Sequence, residues 1–157
     1  MTDTDKVSIT GSSRPGATGR CTRVATDETL TAIREIALDL FVECGFRAAR
    51  MSEIGNRMEL RPVELYAHVT SKEQLLWDII REYTTNALAR VEAIAVADLD
   101  SDDKLERLIE AHADLVTTYR REAIVAARDA DALTSAHAQE LLELRSRLKR
   151  CWDFALI

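Results

Sequence analysis

The chain has 157 residues, a formal net charge of −6, and only 5 Gly, 2 Pro and 5% aromatic residues, a composition rich in Ala, Leu, Arg and Glu that predicts an all-α protein of one domain or two small ones. No apolar run approaches the roughly 20 residues of a membrane span, and the N-terminus lacks the apolar segment of a secretory signal. Cys21, Cys44 and Cys151 are far apart with no C-x-x-C pair, which argues against a zinc site or disulfide framework and for a reducing cytoplasm.

Residues 1–25, rich in Ser, Thr and Gly around Arg14-Pro15-Gly16, show no apolar periodicity and read as a disordered arm. Between Lys6 and Arg23 the arm carries four positive charges and no acid, so it is expected to be either a solubilising tail or the product of a mis-called start codon, or else an arm that lies along DNA phosphates or reaches into a minor groove. A first helix is predicted from Thr26 or Asp27 to Cys44, with Leu30, Ile33, Ala37, Leu40, Phe41 and Cys44 on one face. Gly45 stops it in a left-handed cap, and Cys44 reads as a small core residue. A second helix spans about 51–58 with Met51, Ile54 and Met58 inward. A third spans about 62–68, with Pro62 at its first position, where the missing N–H costs nothing. Leu65 should pack inward, leaving Val63, Glu64, Ala67 and His68 nearer a groove. Two short helices at a tight corner make a helix-turn-helix, whose second helix can enter a DNA major groove.

Ser71-Lys-Glu-Gln then opens a long helix with a capping box, Ser71 taking the Gln74 N–H while Gln74 reaches back. Its apolar stripe runs through Val91, joining the DNA-reading part to the rest. After the acidic loop from Asp98, Ser101 or Asp102 should cap a helix carrying Leu105, Leu108, Ile109, His112, Leu115, Val116 and Tyr119. His112 reads as a core or pocket-lining residue. A shorter helix at about 121–131, a turn at Leu133-Thr134-Ser135 and a final stripe of Leu141, Leu144, Leu148, Trp152 and Ala155 complete the chain.

Charge is uneven along this order. Residues 6–72 hold ten basic and eight acidic residues, whereas residues 73–157 hold eleven basic and seventeen acidic. A mildly basic first half and an acidic second half fit a two-domain regulator whose first half meets phosphate.

Leu40-Phe41, Gly45-Phe46, Ile54-Gly55, Leu65-Tyr66, His68-Val69, Ser71-Lys72-Glu73 and Leu75-Leu76 all fall in one register. Over residues 33–76 this resembles the N-terminal domain of TetR-family (tetracycline-repressor-like) transcriptional regulators. The resemblance implies a helix-turn-helix DNA-binding domain over residues 26–86, with the motif at about 50–69. It also implies a helical regulatory and dimerisation domain over residues 87–157. By position it makes Tyr66, His68 and Lys72 phosphate contacts, Lys72 lying in a helix's first turn where N–H groups also face an anion.

Several residues depart from the family pattern. Arg50 stands where a Ser or Thr usually caps the second helix, losing a cap worth about 1 kcal/mol but bringing a charge to the same phosphate. Glu59 stands where the turn usually has Gly, at a cost of roughly 1 kcal/mol if the backbone there is left-handed. Arg61 replaces a Ser or Thr cap and can pair bidentately with guanine O6 and N7; Val63 can touch a thymine methyl. Glu64 is repelled by phosphates, yet can accept a hydrogen bond from cytosine N4 or simply be tolerated.

The expected partners are duplex DNA, a second copy of the chain and an unidentified small-molecule effector, with no membrane partner. The last helix loosely resembles regulators of lipid or steroid degradation that sense acyl-CoA compounds; Arg145, Arg147, Lys149 and Arg150 would then either meet CoA phosphates or, the reading favoured here, form a solvated helix face. The apolar ending at Trp152, Phe154, Leu156 and Ile157 is expected to be either a truncation, leaving the regulatory domain incomplete, or a face covered by a non-standard dimer contact. No catalytic constellation, metal ligand set or cofactor motif is visible: His68, His112 and His137 are far apart, and no Gly-rich phosphate loop is present. Two functions remain, a ligand-responsive DNA-binding repressor and a degenerate interaction protein of the same fold that no longer reads DNA.

Overall fold

The computed structural model describes the backbone of residues 18–155 and the side chains of residues 27–155. Among these residues the chain is all-α: α1 (Thr18–Cys44), α2 (Met51–Arg57), α3 (Pro62–His68), α4 (Lys72–Ala95), α5 (Ser101–Thr118), α6 (Arg120–Arg128), a short 3-10 turn (Ala130–Ala132) and α7 (Ser135–Ala155). No described helix is long and apolar enough to cross a membrane.

α1 starts earlier than the expected Thr26 or Asp27, so residues 18–25 of the expected arm are helical. They contain no proline, and a helix already nucleated extends at one hydrogen bond per residue. The rest of the arm lies outside the described residues. Ile33, Ala37 and Phe41 are fully buried, and Gly45 ends the helix at φ 83°. Cys44 corrects the sequence reading: it is exposed, its Sγ donating to Leu40 O at 3.2 Å. As the last residue of the helix it lies where the chain turns away, so the stripe it belongs to has nothing left to pack on.

α4 is the spine. Its 24 residues extend about 36 Å and bury Leu75, Leu76, Trp77, Ile79 and Ile80 in one core cluster, then Val91 and Ala95 in a second. One continuous core joins Phe41, Ile54, Leu65, Leu76 and Ile80 to Val125, Ala126 and Leu141. The helix-turn-helix head therefore packs directly on α6 and α7. Its capping box is half formed: Ser71 Oγ accepts the Gln74 N–H at 3.0 Å, but the Gln74 side chain donates forward to Asp78 at 3.1 Å, a nearer charged acceptor one turn on.

Polar ties fasten these layers. Arg121 of α6 forks onto α1, donating to Glu35 at 2.8 Å and Asp39 at 2.5 Å. Arg128, at the other end of α6, donates to the last-turn carbonyls of α1 at Phe41 and Val42 and also pairs with Asp129. Glu73 of α4 accepts the Thr134 N–H at 2.8 Å and faces His137 Nδ1 at 2.9 Å, while the His137 ring stacks on Trp77 at 4.9 Å. Burial alone would raise the Glu73 carboxyl, but the Thr134 N–H and the imidazole outweigh it and hold the group below its ordinary value. That tie is complete above the ordinary carboxylate range and is lost as the pH falls through the lowered value.

One expectation about α5 is corrected and another is met in one of its alternatives. Asp100, not Ser101 or Asp102, caps it by accepting the Asp103 N–H at 2.9 Å. His112 is not a core residue but lines a small cleft with Val91, Leu115, Leu148 and Trp152, as the pocket-lining alternative expected, while Leu105, Ile109 and Val116 are exposed. α5 buries Leu108 and Leu115 against its neighbours, so the wide apolar stripe is covered on one side only.

Candidate nucleic-acid interface

The corner between α2 and α3 is built by backbone geometry. α2 ends at Arg57 with Met58 as its cap, Glu59 takes φ 56°, and two reversed hydrogen bonds follow: Glu59 N–H to Asn56 O at 3.2 Å and Leu60 N–H to Gly55 O at 2.9 Å. These are the paired bonds that satisfy orphan carbonyls at a helix end. Gly55 is small for a reason, because a Cβ there would lie 3.1 Å from Leu60 O and 3.6 Å from Leu65 Cδ2. The left-handed site makes Glu59→Gly neutral or stabilising by up to about 1 kcal/mol. Glu59→Val, with a branched side chain at positive φ, should lower the melting temperature clearly; equal melting for the two would contradict this geometry.

α3 buries Leu65 at 1% exposure and turns the opposite face outward, with Val63 at 82% and Tyr66 at 55%. At 100° per residue, Pro62, Val63, Tyr66 and Ala67 share that outward face, and all four are exposed. His68 lies at the edge, half-buried, with a buried Nδ1 that has no hydrogen-bond partner among the described residues.

Arg61 and Glu64 are brought together. Glu64 Oε2 accepts the backbone N–H of Arg61 at 2.9 Å and its Nε at 3.2 Å, and Oε1 accepts Nη2 at 2.8 Å. The Arg61 side chain first, then its backbone N–H, hold the Glu64 carboxyl down at about 2. The carboxylate thus supplies the helix start that Arg61, lacking a Ser or Thr oxygen, cannot supply itself.

The other two cations differ sharply. Arg50, just ahead of α2, makes no side-chain cap and is exposed. Lys72 instead turns back into the corner between α1 and α2, its Nζ donating to Phe46 O at 2.7 Å and Ala49 O at 2.8 Å and sitting 4.3 Å from the centre of the Phe46 ring. An ammonium has three donors, so one remains for a phosphate. Sequence reasoning missed this role, and also Arg57, which forks onto Glu43 at 3.2 and 2.7 Å and fastens α2 to α1. That partnership holds the Glu43 carboxyl below its ordinary value.

The basic residues of the last helix are all exposed and do not converge, which fits the solvated-face reading. Arg145 donates to Ala126 O, Lys149 pairs with Asp153 one turn on, and Arg147 pairs with Glu92. Only Arg147 and Arg150 meet, in an open groove of about 250 Å³ with Val96, Cys151 and Phe154. Residues 145, 147, 149 and 150 point around the helix at 100° steps, so proximity in sequence does not place them on one face.

Residues 98–156 match the model of the tetracyclin repressor-like C-terminal domain. The chain is 28% identical over 131 residues, 78% of its length, to the HTH-type transcriptional repressor KstR2 of Rhodococcus jostii. It is 29% identical over 107 residues, 68% of its length, to the HTH-type transcriptional activator FasR of Mycolicibacterium smegmatis. These matches span 60% and 49% of the two relatives' own lengths. The structure of PfmR, a TetR-family transcriptional regulator from Thermus thermophilus, superposes with a TM-score of 0.74 at 25% identity, covering 79% of this chain and 68% of that one. The later helices match that family model and most of the chain aligns with these relatives, so the chain is similar to TetR-family transcriptional regulators.

Proposed function

We propose that the chain is a transcriptional regulator, a ligand-responsive repressor, that binds duplex DNA by laying α3 in a major groove. The observation that carries this reading is the outward face of α3. Val63 and Tyr66 stand in solvent on a short helix whose other side is anchored by Leu65 and by the left-handed corner at Glu59. An exposed apolar and phenolic face on a rigid support serves recognition better than it serves stability. In this reading Arg50 and Tyr66 meet phosphates, Val63 meets the groove floor, and His68 and the third Lys72 donor lie at the edge of the contact.

The operator would be read by two copies, since paired recognition helices about 34–36 Å apart match successive turns of one DNA face. The C-terminal helices would take an effector, whose identity the divided basic cluster leaves open. The carboxylates of Glu59 and Glu64 at the same surface favour a second reading, a protein-interaction module of this fold. Salt titrations of the wild-type chain and of Arg50→Ala separate the two. If Arg50 neutralises one phosphate, binding weakens on all sequences and the slope of log affinity against log salt shrinks by about one unit. Tyr66→Phe, which removes a neutral donor, should weaken binding without changing the slope. An unchanged affinity in both variants would remove Arg50 and Tyr66 from the contact, no salt-dependent DNA binding by the wild-type chain would favour the interaction module, and sedimentation of the wild-type chain tests the dimer.

A further inference from the structure

The carboxylate of Glu64 is out of place on a surface that meets phosphates, unless it acts on something other than the DNA. Its contacts show what it acts on. An arginine guanidinium has five N–H groups, and Glu64 occupies the Nε and Nη2 edge of Arg61. The end-on edge, both N–H groups of Nη1 and the remaining one of Nη2, is left open. Two parallel N–H groups on that edge match the O6 and N7 acceptors of guanine in the major groove. The carboxylate is itself fixed, because Oε2 also accepts the main-chain N–H of Arg61. Both lone-pair positions of Oε2 are then used, which leaves one position on Oε1 as the carboxylate's remaining acceptor.

We propose that Glu64 is a positioning residue for sequence reading: it holds the long, 82%-exposed side chain of Arg61 with its open edge outward, so that the pair selects guanine as a unit. This rests on the DNA-binding reading above. A flexible arginine loses rotamer freedom when it docks on a base, and a side chain already held has less to lose. The pair is also close to neutral, so it adds discrimination between sequences and almost nothing to the general attraction for phosphate. Arg50, which has no such partner, would supply the opposite.

The test starts by selecting preferred duplexes from a random-sequence pool with the wild-type chain. Affinities for the selected duplex and its single-base variants are then measured at several salt concentrations for Arg61→Ala, Glu64→Ala, Glu64→Gln and the Arg61→Ala/Glu64→Ala double variant. Glutamine still serves at this helix position, so Glu64→Gln keeps the start of α3 while weakening the hold on the guanidinium; circular dichroism checks the helix content of each variant. Arg61→Ala should reduce discrimination for one guanine on the order of tenfold or more. Both Glu64 variants should reduce discrimination at that same base pair while strengthening binding to unrelated duplexes and steepening the salt slope. Removing Glu64 in the Arg61→Ala background should leave base preference unchanged. Guanine preference that survives both Glu64 substitutions would overturn the proposal, as would a cytosine preference that follows Glu64 and persists without Arg61. If the wild-type chain enriches no sequence and binds no duplex in a salt-dependent way, the DNA-binding reading itself has failed and takes this proposal with it.

Discussion

Lys72→Met is expected to lower the stability of the chain by about 2 kcal/mol, the usual scale for hydrogen bonds to a charged group. At this chain length that is a fall of roughly 4–8 °C in melting temperature. The reason is the corner that Lys72 closes. Its ammonium donates to the carbonyls of Phe46 and Ala49, two groups between α1 and α2, where Phe46 is buried at 9% exposure and Ala49 at 2%. Methionine fills the same space against the Phe46 ring but donates nothing, so both contacts to the charged donor are lost. DNA binding should fall as well, because α2 and α3 are oriented through this corner. A lysine that served phosphate alone would behave differently: melting would stay at the wild-type value and only the salt slope would shrink, by about one unit. Measuring both quantities on one variant tells these roles apart.

The second large effect is expected at the far end of α6. Asp129 is only 8% exposed, and its carboxylate faces the guanidinium of Arg128 at 2.9 Å. Arg128 also closes the C-terminal turn of α1 through the carbonyls of Phe41 and Val42, where a cation complements the helix dipole. Arg128→Met leaves a nearly buried carboxylate without its counter-charge. Breaking a buried pair from one side costs about 3–5 kcal/mol, and the 42% exposure of the arginine side chain brings the expected loss down to roughly 2 kcal/mol. Arg128→Met with Asp129→Asn should recover part of that loss, because the asparagine leaves no charge stranded. A double variant no more stable than the single one would assign the whole effect to the α1 carbonyls.

The contrast between Lys72 and Glu59 shows what a sequence discloses. The left-handed turn at Glu59, the stop at Gly45, the burial of Leu65 and the Ser71 cap follow from rules that act within a few residues, and each appears as expected. Lys72 reaches carbonyls 26 and 23 residues away, and Arg128 reaches back to α1 across 86 and 87. No local pattern encodes such pairs. Cys44 fails for a related reason: periodicity shows which residues share a face but not whether anything covers it. In Glu64 the residue type was legible but its partner was not. Read alone against a groove it is a repelled charge; beside Arg61 it starts a helix and holds a guanidinium.

The measurement closest to the central claim is a fluorescence titration of the wild-type chain with the DNA upstream of its own gene and with a shuffled duplex of equal length. It is repeated across a range of salt concentrations. DNA reading by α3 predicts tighter binding to the upstream duplex at every salt concentration, with log affinity falling linearly against log salt for both. Equal affinities for the two duplexes, or no salt-dependent binding to either, would contradict it and leave the helix-turn-helix as a packed scaffold.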